Sequence, residues 1–248
     1  MLGRSLNQMK NDYFIMGKNS LNEVLRRDSW RFIEIITHHE KSHAFLTPFL
    51  EKGIKITSMG RHTMEKILGS DSHGGFAARL ERHENFSIGD MLDSLKEKKN
   101  ATLVALDGIL DPHNIGAILR SCECFGVDGV IWSKNRGPSI TPVVTKVSVG
   151  ASELVPICIV SNIHDALLKC QDDYFSIITA EKKANSCTHQ DLPRQDKKVL
   201  VLGSEEKGVR ALISKMADYS VFIPMQGQID SLNVSAATAV LLSHLCTS

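Results

Sequence analysis

Residues from 100 onwards alternate between short apolar runs and segments with helical spacing, and this pattern constrains the fold more than any other feature. The run Val199–Leu202 is apolar at every position, without the alternation of a half-exposed strand. Strands of that kind are typical of a parallel sheet that helices cover on both faces. The pattern therefore predicts an α/β fold with a C-terminal parallel-sheet domain at residues 100–248.

The predicted elements of this domain follow one another regularly. Strands are predicted at Thr102–Leu106, Val127–Trp132, Val155–Val160, Phe175–Thr179, Lys198–Leu202 and Ser220–Ile223. Helices are predicted at Ile115–Phe125, Ile163–Gln171, Val209–Met216 and Val234–Leu245.

A smaller α/β domain is predicted at residues 12–82. Strands are expected at Phe32–Thr37, at Ile54–Ser58 and at the end of Ser72–Leu80; helices are expected at Leu21–Arg27, with Ser20 as N-cap, and at Met64–Leu68. Residues 83–99 are polar and charged, which predicts a linker with one helical turn near Met91–Leu95.

Composition sets limits on partners and compartment. The net charge of +1 does not by itself indicate a nucleic-acid partner. No apolar run is long enough for a membrane span or a secretory signal, and the six cysteines form no zinc-binding spacing. We therefore expect a cytoplasmic protein with free, mostly buried thiols, no membrane partner and no metal.

Basic residues of the first domain are the best candidates for phosphate contacts. Few aromatic residues lie near them in sequence, so no stacking platform for bases is predicted. The cluster consists of Lys18, Arg26, Arg27 and Arg31. Arg136 and Lys146 are further candidates for RNA contact, although all of these cations are equally compatible with a solvated surface.

The first of three segments that could carry chemistry is Leu106–Arg120. A strand ends, a turn with Pro112 follows, and Asn114 is expected at the N-cap of the next helix. Gly116 and Arg120 are four residues apart and therefore share a helix face. The segment fits either a ligand-facing helix or a capped helix with a surface arginine. His113 could serve as a base, but packing or capping is the commoner use of such a residue.

The second segment is the loop Gly203–Gly208, between a strand and a helix. Ligands of open α/β sheets bind beyond the carboxyl ends of strands. The loop is not a P-loop, and the adjacent carboxylates of Glu205 and Glu206 would repel a phosphate. The loop therefore suits a ligand without phosphates, such as a sulfonium cation, or is an ordinary turn.

The third segment, Ile223–Ala237, runs from a strand through a loop into a helix that Asn233 or Ser231 caps. Small residues at the start of this helix permit close packing of another backbone. A plain capped helix would also explain the pattern.

Together and in this order, the three segments resemble the signature motifs of the SpoU/TrmH class of SPOUT methyltransferases. Asp111–Gly116 with Arg120 resembles the first motif, Gly203–Gly208 the second and Ser231–Ser235 the third, although Glu206 stands where the family often has glycine. Lys146–Glu153 and Ser72–Gly75 resemble the subgroup that methylates a guanosine ribose in large-subunit ribosomal RNA.

The resemblance implies a fold, a cofactor and an assembly. The catalytic domain would contain a trefoil knot, and a small ribosomal-protein-like RNA-binding domain would precede it. The implied enzyme is a homodimer that uses S-adenosylmethionine and no metal to methylate a ribose 2′-hydroxyl of RNA. The resemblance implies that the donor contacts Gly203, Ile223, Leu232, Thr179 and Ala180.

The resemblance also implies catalytic roles. Arg120 would contact the reacting ribose or its phosphate, either assisting deprotonation or stabilising charge. Asn114 and Asn233 would hold Arg120 and the RNA backbone by amide hydrogen bonds. Glu205 would pair with Arg120 or orient it, and Ser231 would donate a hydrogen bond to a phosphate or to the donor's carboxylate.

Three other functions are weighed against this one. The target could be transfer RNA, or the chain could be an RNA-binding module that has lost the reaction. The joint presence of the five proposed catalytic residues speaks against the second of these. A dinucleotide-binding oxidoreductase is disfavoured because the glycine fingerprint is absent.

Overall fold

The computed structural model describes residues 12–82, 86–133 and 140–247. Its strands are β1 Tyr13–Met16, β2 Phe32–Thr37, β3 Ile56–Ser58, β4 Phe76–Leu80, β5 Ala101–Asp107, β6 Gly129–Ser133, β7 Ile157–Val160, β8 Ser176–Ala180, β9 Cys187–Thr188, β10 Lys197–Gly203 and β11 Tyr219–Phe222. Its helices are α1 Lys18–Arg27, α2 Thr47–Glu51, α3 Arg61–Leu68, α4 Ile88–Leu95, α5 Pro112–Cys124, α6 Pro142–Val147, α7 Ile163–Asp172, α8 Ala211–Met216 and α9 Val234–Thr247, with short 3₁₀ turns at Ser29–Arg31, Ala44–Leu46 and Ala151–Glu153.

The chain forms two compact units. Residues up to 84 and residues 140–154 make the first unit; residues 85–139 and those from 155 onwards make the second. The chain therefore passes from one unit to the other three times. The sequence did not reveal that residues 140–154, which contain α6, fold with the first unit.

The first unit is built on a four-stranded sheet in the order β1-β4-β2-β3. β4 is antiparallel to both β1 and β2, whereas β2 and β3 are parallel. Successive residues point to opposite faces, so Ile35 joins one buried cluster and Ile36 the other. Both faces of the sheet are therefore covered.

Residues 140–154 are joined to the rest of the first unit by buried polar contacts. The guanidinium of Arg31 lies 3.0 Å from the carboxylate of Glu153, and both side chains are almost fully buried. Tyr13 donates a hydrogen bond from its hydroxyl to the same carboxylate, and Ser20 donates to the carbonyl of Thr145 over 2.8 Å. Burial beside Glu153 raises the pKa of Tyr13 above its usual value.

The second unit is built on a seven-stranded sheet in the order β7-β6-β5-β10-β8-β11-β9, with every described pair parallel. This confirms the predicted parallel sheet. After β5 the chain adds β6 and β7 on one side, and it then crosses to build the other side through β8 and β10. The switch in direction places a crevice at the carboxyl ends of β5 and β10, where ligands of open α/β sheets bind.

Most predicted elements are confirmed to within a few residues, but several details were wrong. Residues 83–99 were expected to be a linker with one turn; they contain the two-turn helix α4, whose Met91, Leu92 and Leu95 are buried in the core of the second unit. A capping box between Ser87 and Asp90 starts this helix. The apolar spacing of a core helix was hidden by the charged residues that follow it.

Two of the predicted helix caps were also wrong. Gly17 rather than Ser20 precedes α1, because Ser20 lies inside the helix and is buried. Asp111 rather than Asn114 caps α5, its carboxylate accepting a hydrogen bond from the His113 amide over 3.0 Å. Asn114 therefore lies inside the first turn, where its side chain is available for other contacts.

All six cysteines are free thiols, as predicted, although only Cys122, Cys158 and Cys170 are buried. No helix in the described part of the chain is long and apolar enough to span a membrane.

Candidate functional site

A cavity of about 650 Å³ opens at the carboxyl ends of β5 and β10, in the crevice that the strand order creates. It is lined by residues 107–111, by Asn114, by residues 204–208 and by Arg210. The first two predicted motif segments therefore meet at one edge of the sheet.

The loop between β10 and α8 has a shape that depends on glycine. Ser204 and Gly208 exchange two backbone hydrogen bonds of 3.2 and 2.8 Å, which fold the loop back on itself. A Cβ on Gly203 would lie 2.2 Å from the carbonyl carbon of Gly208, so a larger residue would force the loop open. Gly203 thus fixes the position of Glu205.

A buried ion pair ties this loop to the end of β5. Asp107 accepts hydrogen bonds from the backbone amide of Arg210 over 3.0 Å and from its Nε over 2.6 Å. The carboxylate is almost fully buried, whereas the Arg210 side chain is one-third exposed. Neither residue was singled out in the sequence; a carboxylate that closes an otherwise apolar strand is the signal that could have identified Asp107.

Three side chains from the three motif segments form a continuous hydrogen-bonded chain, which we call the amide relay: Asn233, Asn114 and Glu205. Asn233 Nδ2 donates to Asn114 Oδ1 over 2.9 Å, and Asn114 Nδ2 donates to Glu205 Oε1. Asn233 Nδ2 also lies 3.5 Å from the same carboxylate oxygen. The relay joins the start of α5, the Gly203–Gly208 loop and the start of α9.

The C-terminal helix sets the orientation of the relay. Asn233 Oδ1 accepts hydrogen bonds from the backbone amide of Ser235 over 2.9 Å and from its hydroxyl over 2.6 Å. Asn233 is therefore the cap of α9, which selects between the two predicted alternatives. Because its oxygen is used by the helix, its NH₂ group must face Asn114, and the NH₂ group of Asn114 then faces Glu205.

Arg120 and Ser231 are not part of this chain of hydrogen bonds. Arg120 is exposed on α5, and neither side chain has a hydrogen-bond or ion-pair partner in the described part of the chain. Within one chain Glu205 bonds Asn114 and not Arg120, so its expected pairing with Arg120, or orientation of it, stays a prediction. The two asparagines bond each other and Glu205 rather than Arg120.

The residues expected to contact the methyl donor follow neighbouring strands. Gly203 ends β10, Ala180 ends β8 and Ile223 follows β11; these strands are adjacent, so the three positions lie along one edge of the sheet. Leu232 is in the exposed loop before α9 and is 43% exposed. Thr179 is fully buried: its hydroxyl bonds Glu181 and Ser220, each over 2.8 Å, and its backbone lies between β10 and β11 in the sheet.

Glu181 forms a polar cluster beside this strand end. Burial works to raise the pKa of Glu181, but hydrogen bonds from Ser214, Thr179 and Lys183 outweigh it and hold the pKa below its usual value. The carboxylate therefore stays ionised and ties α8 to the sheet.

The predicted basic cluster of the first unit is divided. Lys18 begins α1, whereas Arg26 and Arg27 lie about 12 Å away at its end. Arg31 is buried in its ion pair with Glu153 and is unavailable to RNA, because residues 140–154 cover it. Lys146 donates a hydrogen bond to the carbonyl of Ser72 within the same unit. Arg136 lies outside the described residues.

Solved methyltransferases share this fold. The SpoU methyltransferase AviRb from Streptomyces viridochromogenes, in complex with AdoMet, matches with a TM-score of 0.84 at 18% identity, covering 99% of this chain and 98% of that one. An AdoMet-bound rRNA methyltransferase from Sinorhizobium meliloti matches with a TM-score of 0.75 at 18% identity, covering 97% and 92%. The fold is thus that of the SpoU-type methyltransferases.

Sequence comparison identifies the family. The SpoU rRNA Methylase family matches residues 101–243, and the RNA 2′-O ribose methyltransferase substrate binding family matches residues 14–86. A protein of Haemophilus influenzae named 23S rRNA (guanosine-2′-O-)-methyltransferase RlmB is 32% identical over 236 residues, 93% of this chain and 96% of the relative. Its Coxiella burnetii counterpart is 34% identical over 92% of each chain. The chain belongs to the SpoU rRNA methylase family, which confirms the resemblance inferred from the three motifs.

Proposed function

We propose that this chain transfers a methyl group from S-adenosylmethionine to a ribose 2′-hydroxyl of RNA, at a guanosine of large-subunit ribosomal RNA. The amide relay carries the proposal, because its hydrogen bonds join the third motif segment to the two segments that line the cavity. The names of the relatives from Haemophilus influenzae and Coxiella burnetii support the substrate class.

The residues present fit a sulfonium donor. The strand ends at Ala180, Gly203 and Phe222 supply a row of backbone groups along one sheet edge, which suits an adenine edge that needs one donor and one acceptor. The adjacent carboxylates of Glu205 and Glu206 favour a cation over a phosphate. S-adenosylmethionine, when bound, supplies a methyl group on an already activated leaving group, so the proposed reaction needs no metal.

The protein's own groups have two tasks in this reaction: to align the ribose and to stabilise charge on its oxygen. The ribose oxygen would gain the methyl group, whose bond to the donor's sulfur would break, and would lose its proton to solvent. We assign alignment to Asn114, Asn233 and Glu205, whose orientations the cap of α9 fixes. Ser231, exposed in the same loop as Asn233, would donate a hydrogen bond to a phosphate of the substrate.

Arg120 would bind the substrate phosphate and stabilise the developing oxyanion. It lies six residues after Asn114, about 9 Å further along α5 and on a different face. It therefore does not point towards the relay of its own chain. A homodimer resolves this, because Arg120 of one protomer can complete the site of its partner.

The proposal extends to the architecture around the site. The methyltransferase domain, residues 100–248 apart from residues 140–154, would carry the trefoil knot of its family. Residues 12–82 together with residues 140–154 would bind the RNA substrate, with Lys18, Arg26, Arg27 and Lys146 as phosphate contacts and Arg136 as a further one. The reaction would take place in the cytoplasm, on ribosomal RNA.

The direct test is methyl transfer by the full chain from labelled S-adenosylmethionine to an unmodified large-subunit ribosomal RNA transcript, with transfer RNA as the competing substrate. We expect one 2′-O-methylated guanosine in the ribosomal transcript, and a 2′-deoxy substitution at that nucleotide should abolish transfer. Binding of the donor without transfer to either RNA would refute the proposal.

Mixed dimers test the shared site. Arg120→Ala and Asn114→Ala should each lose activity, with Lys169→Ala as the control for an exposed cation. Refolding the two inactive variants together should restore about a quarter of the sites, because half of the dimers are mixed and each contains one intact site. Failure to restore activity would place Arg120 and the relay in the same protomer.

A further inference from the structure

Four histidines gather at one end of the sheet of the first unit. We call His38, His39, His43 and His73 the imidazole cluster. The ring centroids of His38 and His39 are 4.4 Å apart, those of His39 and His43 are 5.1 Å apart, and those of His38 and His73 are 5.7 Å apart. The cluster lies where β1 and β2 end and β4 begins, because β4 runs antiparallel to both.

Aromatic contacts hold the cluster in place. The ring of His39 stacks on Phe76, with centroids 4.8 Å apart and planes inclined by 22°. His43 meets the same phenyl ring edge-on at 5.0 Å. A Cβ on Gly75 would lie 2.2 Å from His39 Nε2, so glycine is what allows the imidazole to lie against this backbone.

A cation stands beside these rings. Lys18 Nζ lies 5.0 Å from the ring centroid of Phe76 and 5.4 Å from that of Phe45. Lys18 is itself exposed, so its ammonium can reach an anion in solvent while its position is fixed by the two rings.

His73 contributes an unused hydrogen-bond donor. Its Nδ1 accepts a hydrogen bond from the Gly75 amide over 3.0 Å, so in the neutral ring the proton is on Nε2. Burial and the neighbouring His38 lower the pKa of His73, which favours the neutral ring. Nε2 is buried and has no partner in the described part of the first unit.

The opposite end of β2 offers a weaker alternative. Trp30 is 67% exposed there, and the nearby Arg26 and Arg27 remain candidates for phosphate contact, but each already has a protein partner that RNA would have to displace. Arg26 pairs with Glu23 over 3.1 Å, and Arg27 donates to the Leu154 carbonyl over 3.0 Å. A metal site is no better explanation of the imidazole cluster, since no group of three metal-ligating side chains suited to an ion occurs among residues 12–82 and 140–154.

We propose that the imidazole cluster and Lys18 form the surface of the first unit that binds an unpaired nucleotide of the RNA substrate. A base stacks on the exposed ring of His38 beside the half-buried His43, and Lys18 contacts the adjacent phosphate. Planar rings beside a fixed cation are the combination that single-stranded nucleic acid requires. The inference rests on the proposed function for the identity of the RNA, but it concerns binding and not methyl transfer.

The test uses the full chain, the large-subunit ribosomal RNA transcript and, as second probe, a blunt RNA duplex. The double variant His38→Ala/His43→Ala should bind the transcript about tenfold more weakly and raise the KM for RNA equally, with kcat and donor affinity within twofold of wild type. His38→Phe should keep wild-type affinity, because it preserves a stacking face. His62→Ala, an exposed histidine of α3 outside the cluster, is the matched control.

Two further measurements distinguish the loss of base stacking from the loss of a charge and from unfolding of the variant. Lys18→Met should lower the slope of log affinity against log salt by about one unit. Thermal melting checks that each variant folds. If the double variant is unfolded, the transcript affinity of the single variant His38→Ala, at an exposed position, is compared with wild type instead. Affinity for the duplex should be unaffected by the histidine variants.

Each outcome decides a different question. Unchanged transcript affinity in the histidine variants, or a loss found instead in Trp30→Ala, overturns the inference and leaves the methyltransferase proposal intact. A wild-type chain that binds the transcript but never methylates it refutes the proposed function, while the effect of the histidine variants on binding still tests the imidazole cluster.

Discussion

Both units place their distinctive side chains at strand ends, but they hold them in different ways. In the second unit, the relay of Asn233, Asn114 and Glu205 is joined by hydrogen bonds whose directions are fixed by the cap of α9. In the first unit, the imidazole cluster is held by ring contacts, and His73 keeps a donor without a partner.

The difference matches the tasks proposed for the two units. A reacting ribose must be aligned within a narrow range of distances and angles, which directional hydrogen bonds supply. Stacking tolerates any base because every base offers a flat face. The arrangement of each unit thus suits the task proposed for it.

The largest expected effect concerns the buried ion pairs, Arg31 with Glu153 in the first unit and Asp107 with Arg210 in the second. Glu153→Ala leaves a fully buried guanidinium unpaired and should lower the free energy of unfolding of the first unit by about 3–5 kcal/mol. Asp107→Ala should cost less, because the partly exposed Arg210 can turn to water.

The two tryptophans allow each unit to be followed separately. Trp30 lies in the first unit and Trp132 in the second, so denaturation by urea is monitored in Trp132→Phe and Trp30→Phe backgrounds. If Glu153→Ala and Asp107→Ala lower the free energy of unfolding equally, the burial of the arginine does not determine the cost of removing its carboxylate partner.

An intermediate effect is expected for the relay. Asn114→Ala removes the link between Asn233 and Glu205, and methyl transfer should fall about 10²-fold because the aligned geometry is lost. Asn162→Ala is the matched control: it removes the cap of α7 and should cost about 1 kcal/mol of stability without changing the transfer rate. Equal activity in the two variants would contradict an aligning role.

The smallest effect is a dependence of stability on pH in the first unit. Burial opposes ionisation of Glu34, but hydrogen bonds from Thr57 and Arg79 hold its pKa below the usual 4.5. Its stabilising contribution is therefore complete above pH 4.5 and is lost as the pH falls through the lower folded-state value. The free energy of unfolding of Glu34→Gln should fall less steeply than that of wild type as the pH is lowered from about 6 to about 3. The exposed variant Glu51→Gln should follow wild type.

The strands and motif residues of the second unit could be predicted because their signals are local. The apolar run Val199–Leu202 indicates a buried strand wherever it occurs, and polar residues that follow such strands must gather at one sheet edge. The direction of the relay could not be predicted, since it depends on which oxygen α9 uses.

The features that sequence reasoning missed depend on contacts between distant residues. Arg31 looks like a surface cation until Glu153, more than a hundred positions later, buries it. The ring cluster beside Lys18 was missed because its imidazoles come from residues 38–43 and 73, which are far apart in the sequence. Only the pairing of β4 with β1 and β2 brings these segments together.

Residues 140–154 have a consequence for dissecting the protein. A fragment that stops anywhere between residues 85 and 139 keeps Arg31 but loses Glu153, and so contains a guanidinium without its counter-ion. The isolated N-terminal piece should therefore fold poorly, whatever boundary is chosen. Exchanging the N-terminal unit of this chain for that of another protein therefore requires exchanging residues 140–154 as well.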